Sequence, residues 1–198
     1  MTDYTRVYNG ISKVIWGYFF LYFNINLGTI SILPSFIGYI LFLKSIELLQ
    51  EEERELSLLK TLDVILGIWE GIQWLANCVG YSFDGKWQFI NLIIGLVNLY
   101  FHFQFLTNLA SIATKHQQEN CSYDKKLLTY RTVQTIMLTI ILVITNLYSL
   151  FNEIWVYVSL IFAICYIIIC LYIMATLSGL KKHLQTDNIF EDENNIEM

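Results

Sequence analysis

The chain has 198 residues, of which 56% are hydrophobic and only 15% are charged, and its net charge is −5. Soluble domains carry about 25% charged residues, so this deficit and the long apolar runs exclude an ordinary soluble domain and predict a multi-pass membrane protein. Nothing in the charge distribution indicates nucleic acid as a partner. The predicted partner is the lipid bilayer, with a homo-oligomer or a partner membrane protein left open.

Six apolar segments follow one another along the chain. A helix needs about 20 apolar residues to cross a bilayer, with a range of roughly 17–25. The predicted spans are 9–25, 33–50, 61–81, 87–109, 129–150 and 154–178. The first is the weakest, because its apolar part, GISKVIWGYFFLYF, is followed at once by NINLGT. We keep it because the distribution of lysine and arginine requires an even number of spans.

Lysine and arginine predict the orientation. If the N-terminus is cytoplasmic and six spans alternate, all but one of the twelve basic residues fall on or near the cytoplasmic side. Only Lys86 falls outside. An excess of positive charge on the cytoplasmic side is the rule in membrane proteins, so both termini are predicted to be cytoplasmic and the protein to lie in the cell membrane.

The links between the spans predict three helical hairpins. The outer links are short and the inner links are longer and charged: 26–32, 82–86 and 151–153 outside, 51–60 and 110–128 inside. The predicted fold class is therefore all-α, with a six-helix transmembrane domain over 1–182. Residues 183–198 are polar and acidic, which predicts a disordered cytoplasmic tail.

The second span begins with SILPSFIGYILF. Pro34 is predicted in the first turn of its helix, where the missing N–H has no partner to lose, and Ser31 is the candidate cap. The run INLGTISILPSFIGYILF (25–42) resembles the start of small, uncharacterised integral membrane proteins of low-GC Gram-positive bacteria. This resemblance implies a membrane location and no established activity.

The acidic segment QEEERELSLLK (50–60) allows two interpretations. Its acids could bind a cation or a basic partner. Alternatively, the segment is a solvated helical joint in which Arg54 and Lys60 offset part of the charge, and this is the interpretation we favour.

Known catalytic and metal-binding motifs are absent from the sequence. The four cysteines form no C-x-x-C pair and the three histidines show no metal spacing, so neither a metal site nor a cofactor is predicted. The cysteines are interpreted as free packing thiols: Cys78, Cys121, Cys165 and Cys170.

A polar stripe runs along the third predicted span. At about 100° per residue, Asp63, Glu70 and Asn77 fall on one face, and Gln73 flanks them. Glu70 lies near the middle of the span, where an acid costs roughly 2.5–3.5 kcal/mol on insertion scales. It should therefore face the bundle interior and find a partner. Gly67, on the same face, would let another helix approach closely.

The fourth span carries a matching stripe with Asn91, Asn98 and His102 on one face. Because a short link joins the third and fourth spans, we expect them to be antiparallel neighbours, with Glu70 level with Asn98. The expected distance between these two Cα atoms is roughly 8–10 Å. The fifth span adds a milder stripe that includes Thr139. Together these residues predict a polar seam between the third, fourth and fifth helices.

Three classes of function remain open. A transporter or channel-like protein would move a proton, a cation or a small polar solute along the seam. A membrane subunit would bind a ligand or partner; the number of spans is similar to that of the substrate-binding components of energy-coupling-factor vitamin transporters, although the first helix lacks their Ala-x-x-x-Ala pattern. An intramembrane enzyme would use Glu70 and His102 as acid and base, but the sequence offers no nucleophile beside them.

The predicted orientation can be tested by cysteine labelling of intact cells. A cysteine placed within 82–86 should react with an impermeant reagent, because this link is predicted to lie outside. A cysteine placed within 118–124 should not react until the membrane is opened. The opposite pattern would overturn the orientation.

Overall fold

The computed structural model describes residues 3–23, 26–27, 30–31, 33–81, 87–118, 120–146 and 154–196. These residues form six helices: α1 (Asp3–Tyr22), α2 (Phe36–Leu49), α3 (Leu56–Cys78), α4 (Gln88–His116), α5 (Tyr123–Asn146) and α6 (Ile154–Ile196). Between α1 and α2 lie two short antiparallel strands, β1 (Asn26–Leu27) and β2 (Ile30–Ser31). The predicted helical fold is confirmed, apart from this small hairpin. The predicted outer links 82–86 and 151–153 lie outside the described residues.

Three of the described helices are long and apolar enough to cross a membrane. They are α4, α5 and the part of α6 over Leu160–Gln185. By contrast, α2 has 14 residues, which is about 21 Å of helix against a hydrocarbon core of about 30 Å. The chain is therefore a helical protein with three candidate membrane spans.

The six helices form a closed ring. Each helix packs against the next one in the sequence, and α6 packs against α1. The smallest of these contacts is the one between α3 and α4. The buried apolar side chains of the six helices form one cluster inside the ring. Large apolar side chains are also exposed on α3 and α6: Val64, Ile65, Ile68, Ile72, Leu160, Ile161, Ile164 and Ile168.

Glycines bring α1 and α2 into close contact. A Cβ added to Gly38 would lie 2.8 Å from the backbone oxygen of Gly17, and one added to Gly17 would lie 2.5 Å from the ring of Phe42. About two helical turns before Gly17 on α1, a Cβ on Gly10 would lie 2.6 Å from the side chain of Leu49. Small residues at a helix interface let the two backbones approach, which increases van der Waals contact.

The link between α2 and α3 is bonded to α1 and α4. We call this region the charged end of the bundle; it comprises Arg6, Glu51, Glu52, Glu53, Ser111, Lys115 and His116. Arg6 of α1 pairs with Glu51 and Glu52. The acids are thus bonded within the chain, and the described structure does not leave them as a purely solvated joint.

The contacts of α4 complete the charged end. The Ser111 hydroxyl donates to the Glu53 carboxylate at 2.6 Å, and the Lys115 ammonium lies 3.4 Å from the same group. The bond from Ser111 and the charge of Lys115 keep the pKa of the Glu53 carboxyl below its ordinary value. His116 Nε2 lies 3.1 Å from Glu52.

The boundaries of two segments differ from the sequence predictions. α2 begins at Phe36 with Ser35 at the cap position, whereas the predicted cap, Ser31, belongs to β2. The helix α6 continues to Ile196 through a segment predicted to be disordered. Extending an existing helix adds one hydrogen bond per residue fixed, and no glycine or proline follows Gly179 to interrupt it.

The glycine contact predicts a selective loss of stability. Gly38→Ala should lower the free energy of unfolding by about 1–3 kcal/mol, because its methyl group would meet the backbone of α1. Gly71→Ala is the matched control, since a Cβ there meets nothing within 4 Å. Unfolding of the purified variants in detergent would measure both. Equal stability of the two would show that α1 and α2 tolerate a wider separation.

Candidate functional site

A chain of hydrogen-bonded side chains crosses the interior of the ring. Gln134 Nε2 of α5 donates to the Tyr166 hydroxyl of α6 at 3.0 Å. That hydroxyl lies 2.6 Å from the Tyr22 hydroxyl of α1, which lies 3.3 Å from His102 Nε2 of α4. We call these four residues the central chain. It joins four helices through groups that are distant in the sequence.

The hydrogen bonds of the central chain can all point the same way, from Gln134 toward His102. If Gln134 donates to Tyr166, then Tyr166 can donate to Tyr22 and Tyr22 to His102 Nε2. In that arrangement the imidazole is neutral and carries its proton on Nδ1. The chain thus ends on a group that can accept a proton.

Several polar atoms around the central chain lack a partner among the described residues. They are His102 Nδ1, Gln134 Oε1 and the Tyr18 hydroxyl. All three residues are at most 1% exposed. The ring of Tyr18 packs beside that of His102, with 5.7 Å between the centroids. Buried polar groups cost free energy unless they are bonded, so these three atoms could each form a hydrogen bond to a further polar group.

Apolar side chains separate the central chain from the charged end. His102 precedes His116 by fourteen positions on α4, a separation of about 21 Å along the helix. Fully or almost fully buried side chains occupy the intervening layers: Phe42, Ile46, Phe105, Leu106 and Leu109. The rings of Phe42 and Phe105 are in contact at 5.1 Å. Apolar packing therefore dominates the interior on the side of the charged end, and the polar side chains of Ser45 and Asn108 are buried in the same stretch.

The predicted bond between Glu70 and Asn98 is replaced by two others. Glu70 accepts a hydrogen bond from the Ser35 side chain. Asn98 Oδ1 accepts one from the Tyr39 hydroxyl at 3.1 Å. Both partners come from the start of α2. This helix was not predicted to lie beside the polar stripes of the third and fourth spans.

The glycines explain why α2 takes this position. A Cβ on Gly67 would lie 3.1 Å from Cβ of Tyr39, so the small residue of α3 faces α2. A Cβ on Gly95 of α4 would overlap the side chain of Leu142 of α5. Gly67 therefore lies at the contact of α3 with α2, and Gly95 at the contact of α4 with α5.

The remaining predicted site residues are dispersed. Asp63 is buried, Gln73 and Asn91 are half-buried, and Asn77 is exposed. Thr139 is exposed too, and its hydroxyl donates to the carbonyl of Thr135 on its own helix at 2.8 Å. The polar groups that meet inside the ring thus include groups of α1, α2 and α6, which were not part of the seam predicted between the third, fourth and fifth helices.

Three residues of the central chain were not predicted from the sequence. Tyr22 and Tyr166 are two of thirteen tyrosines in an apolar chain, so composition gave no reason to select them. Gln134 was detectable, because an amide within an apolar span is expensive unless bonded. Among the described residues, no group of three or more histidine, cysteine, aspartate or glutamate side chains could hold a metal ion.

Comparison of the chain with protein-family models, curated proteins and solved structures finds no significant match. The resemblance of residues 25–42 to bacterial membrane proteins stays a prediction.

The observed pairing of Asn98 predicts the outcome of a double-mutant cycle. Tyr39→Phe and Asn98→Leu should each destabilise the protein, and together by less than their sum, because both remove the same bond. The expected coupling is about 0.6 kcal/mol, with an upper range near ~1.7 kcal/mol for membrane helices. The control cycle of Glu70→Gln with Asn98→Leu should show no coupling in the same unfolding measurement. Coupling in the control alone would restore the pairing predicted from the sequence.

Proposed function

We propose that the protein is a six-span membrane protein that translocates a proton through the ring of helices. The observation that carries the proposal is the central chain, which places an imidazole and two phenol hydroxyls within hydrogen-bond distance of one another inside the ring. Polar and ionisable groups inside a membrane bundle are costly and mark ion or proton pathways by default.

The chemistry of the central chain favours a proton over a larger solute. Imidazole and hydroxyl groups each donate and accept, so a proton that leaves one group can be replaced from its neighbour. His102 Nε2 is the acceptor at the end of the central chain, so a proton passed on by Tyr22 would arrive at that atom. Transfer between these groups requires no cavity for a solute.

The packing supports a gated pathway. The layer containing Phe42 and Phe105 closes the interior between the central chain and the charged end. A proton can pass this layer only if the helices move, which is the behaviour expected of alternating access around a site near the middle of the membrane. A small cation or polar solute would need a larger opening at the same place.

The charged end supports the proposed orientation. It brings basic residues of α1 and α4 to one end of the bundle, and Lys181 of α6 joins them there. The Lys181 ammonium donates to Ser12 at 3.1 Å and lies over the ring of Tyr8. A concentration of basic groups at one end is typical of the cytoplasmic side, so we place both termini there.

The alternatives receive unequal support. An intramembrane enzyme with Glu70 and His102 as acid and base is not favoured, because Glu70 is bonded to Ser35 and His102 to Tyr22. A membrane subunit that binds a ligand is favoured by a separate observation, a groove between α2 and α3.

Proton flux into liposomes tests the proposed function. Purified protein would be reconstituted with a pH-sensitive dye inside, and flux started by a potassium gradient with valinomycin. Tyr166→Phe keeps the ring but removes the hydroxyl that joins Tyr22 to Gln134, so flux should fall at least tenfold. Thr139→Val is the matched control, since Thr139 is exposed and its hydroxyl donates to a carbonyl of its own helix.

Two results would contradict the proposal. One is flux no greater than that of protein-free liposomes. The other is an unchanged flux in Tyr166→Phe, with the variant folded as judged by its thermal unfolding.

A further inference from the structure

A groove lies between α2 and α3, away from the central chain. Its volume is about 280 Å³. Its lining is apolar and aromatic apart from one carboxyl group: Phe36, Tyr39, Ile40, Leu43, Asp63, Val64, Gly67 and Ile68. Ile40, Val64 and Ile68 are 46%, 42% and 59% exposed, so the groove opens sideways, on the outer face of the ring.

The carboxyl group in the groove has an oxygen that accepts no hydrogen bond from the described residues. Asp63 is 1% exposed, and its Oδ1 has no hydrogen-bond partner among the described residues. Lys60, one turn earlier on α3, forms no ion pair with it in the described part of the chain. Glu70, one helical repeat later, is bonded to Ser35 and lies outside the lining. Asp63 is therefore the one acid that the groove presents to a ligand.

We propose that this groove binds a lipophilic amine, with its ammonium group on Asp63 and a single alkyl chain along the apolar walls. A buried carboxylate without a partner is costly, and an ammonium compensates both its charge and its missing hydrogen bond. A neutral acyl chain of the bilayer, or an apolar helix of a second copy, would leave Asp63 unpaired. Charge complementarity thus selects a cation among the possible occupants.

The size of the groove limits the ligand. Ligand pockets commonly have volumes of about 300–1,000 Å³, so this groove is at the small end. It holds one alkyl chain rather than a two-chain lipid. Gly67 keeps the floor open, since a Cβ there would already press on Tyr39 at 3.1 Å.

Photolabelling tests the proposal. The protein would be placed in phosphatidylcholine nanodiscs with dodecylamine that carries a diazirine on its chain, irradiated, and digested for mass spectrometry. Crosslinks are expected on residues 36–43 and 63–68. The matching diazirine dodecanoate has the same chain and the opposite charge, and it should label these peptides at least tenfold less.

Protein variants distinguish the contact of the ammonium group from that of the alkyl chain. Asp63→Asn should reduce amine labelling of the groove at least tenfold, whereas Glu70→Gln, the neighbouring acid outside the lining, should keep it. Val64→Trp fills the mouth of the groove with Asp63 intact and should also abolish labelling. This second variant tests the proposal even if Asp63→Asn fails to fold.

Three outcomes would overturn the proposal. Equal labelling by amine and carboxylate would show a slot for ordinary bilayer chains. Labelling that survives Asp63→Asn would place the amine elsewhere. Crosslinked dimers as the main product would assign the groove to a second copy. None of these depends on proton flux, because the groove shares no residue with the central chain.

Discussion

The structure depends on the close approach of α1 and α2 through their glycines. Without Cβ atoms at Gly17 and Gly38, the two backbones come within contact distance, and a Cβ at either position would force a neighbouring atom to shift. This approach turns Tyr18 of α1 and Tyr39 of α2 toward α4. The contacts of both helices with α4 therefore depend on an apolar packing requirement: the ring of Tyr18 lies beside that of His102, and the Tyr39 hydroxyl donates to Asn98.

The sequence was sufficient to predict the helices but not their neighbours. Hydrophobic segments identify helices because each must bury an apolar stripe or contact lipid, and this signal is local. Neighbours were inferred from short links, which made α3 and α4 partners. In the structure that contact is the smallest in the ring, and α2 supplies the bonds to Glu70 and Asn98. Six membrane spans and their orientation remain a proposal, since three helices meet the length and hydropathy of a span.

A residue of the candidate site could be predicted from the sequence when its side chain has a high free-energy cost in an apolar helix. His102 stood out because an imidazole in an apolar helix needs a partner. Tyr22 and Tyr166 did not, because a tyrosine packs as an apolar ring and only its hydroxyl reveals a polar role once the fold is known. Their contact joins residues 144 positions apart, a separation over which a single sequence carries no signal.

The closure of the ring by α6 has a consequence for biogenesis. Translation proceeds at about 5–20 residues per second, so the 144 positions between Tyr22 and Tyr166 represent roughly 7–30 s of synthesis. During that time α1 and α2 can already pair, but the Tyr22 hydroxyl has no Tyr166 to bond with. The early pair of helices must persist through its glycine packing, with the Tyr22 hydroxyl not yet bonded to Tyr166. The contact between α1 and α6 that closes the ring can therefore form only after all six helices have been synthesised.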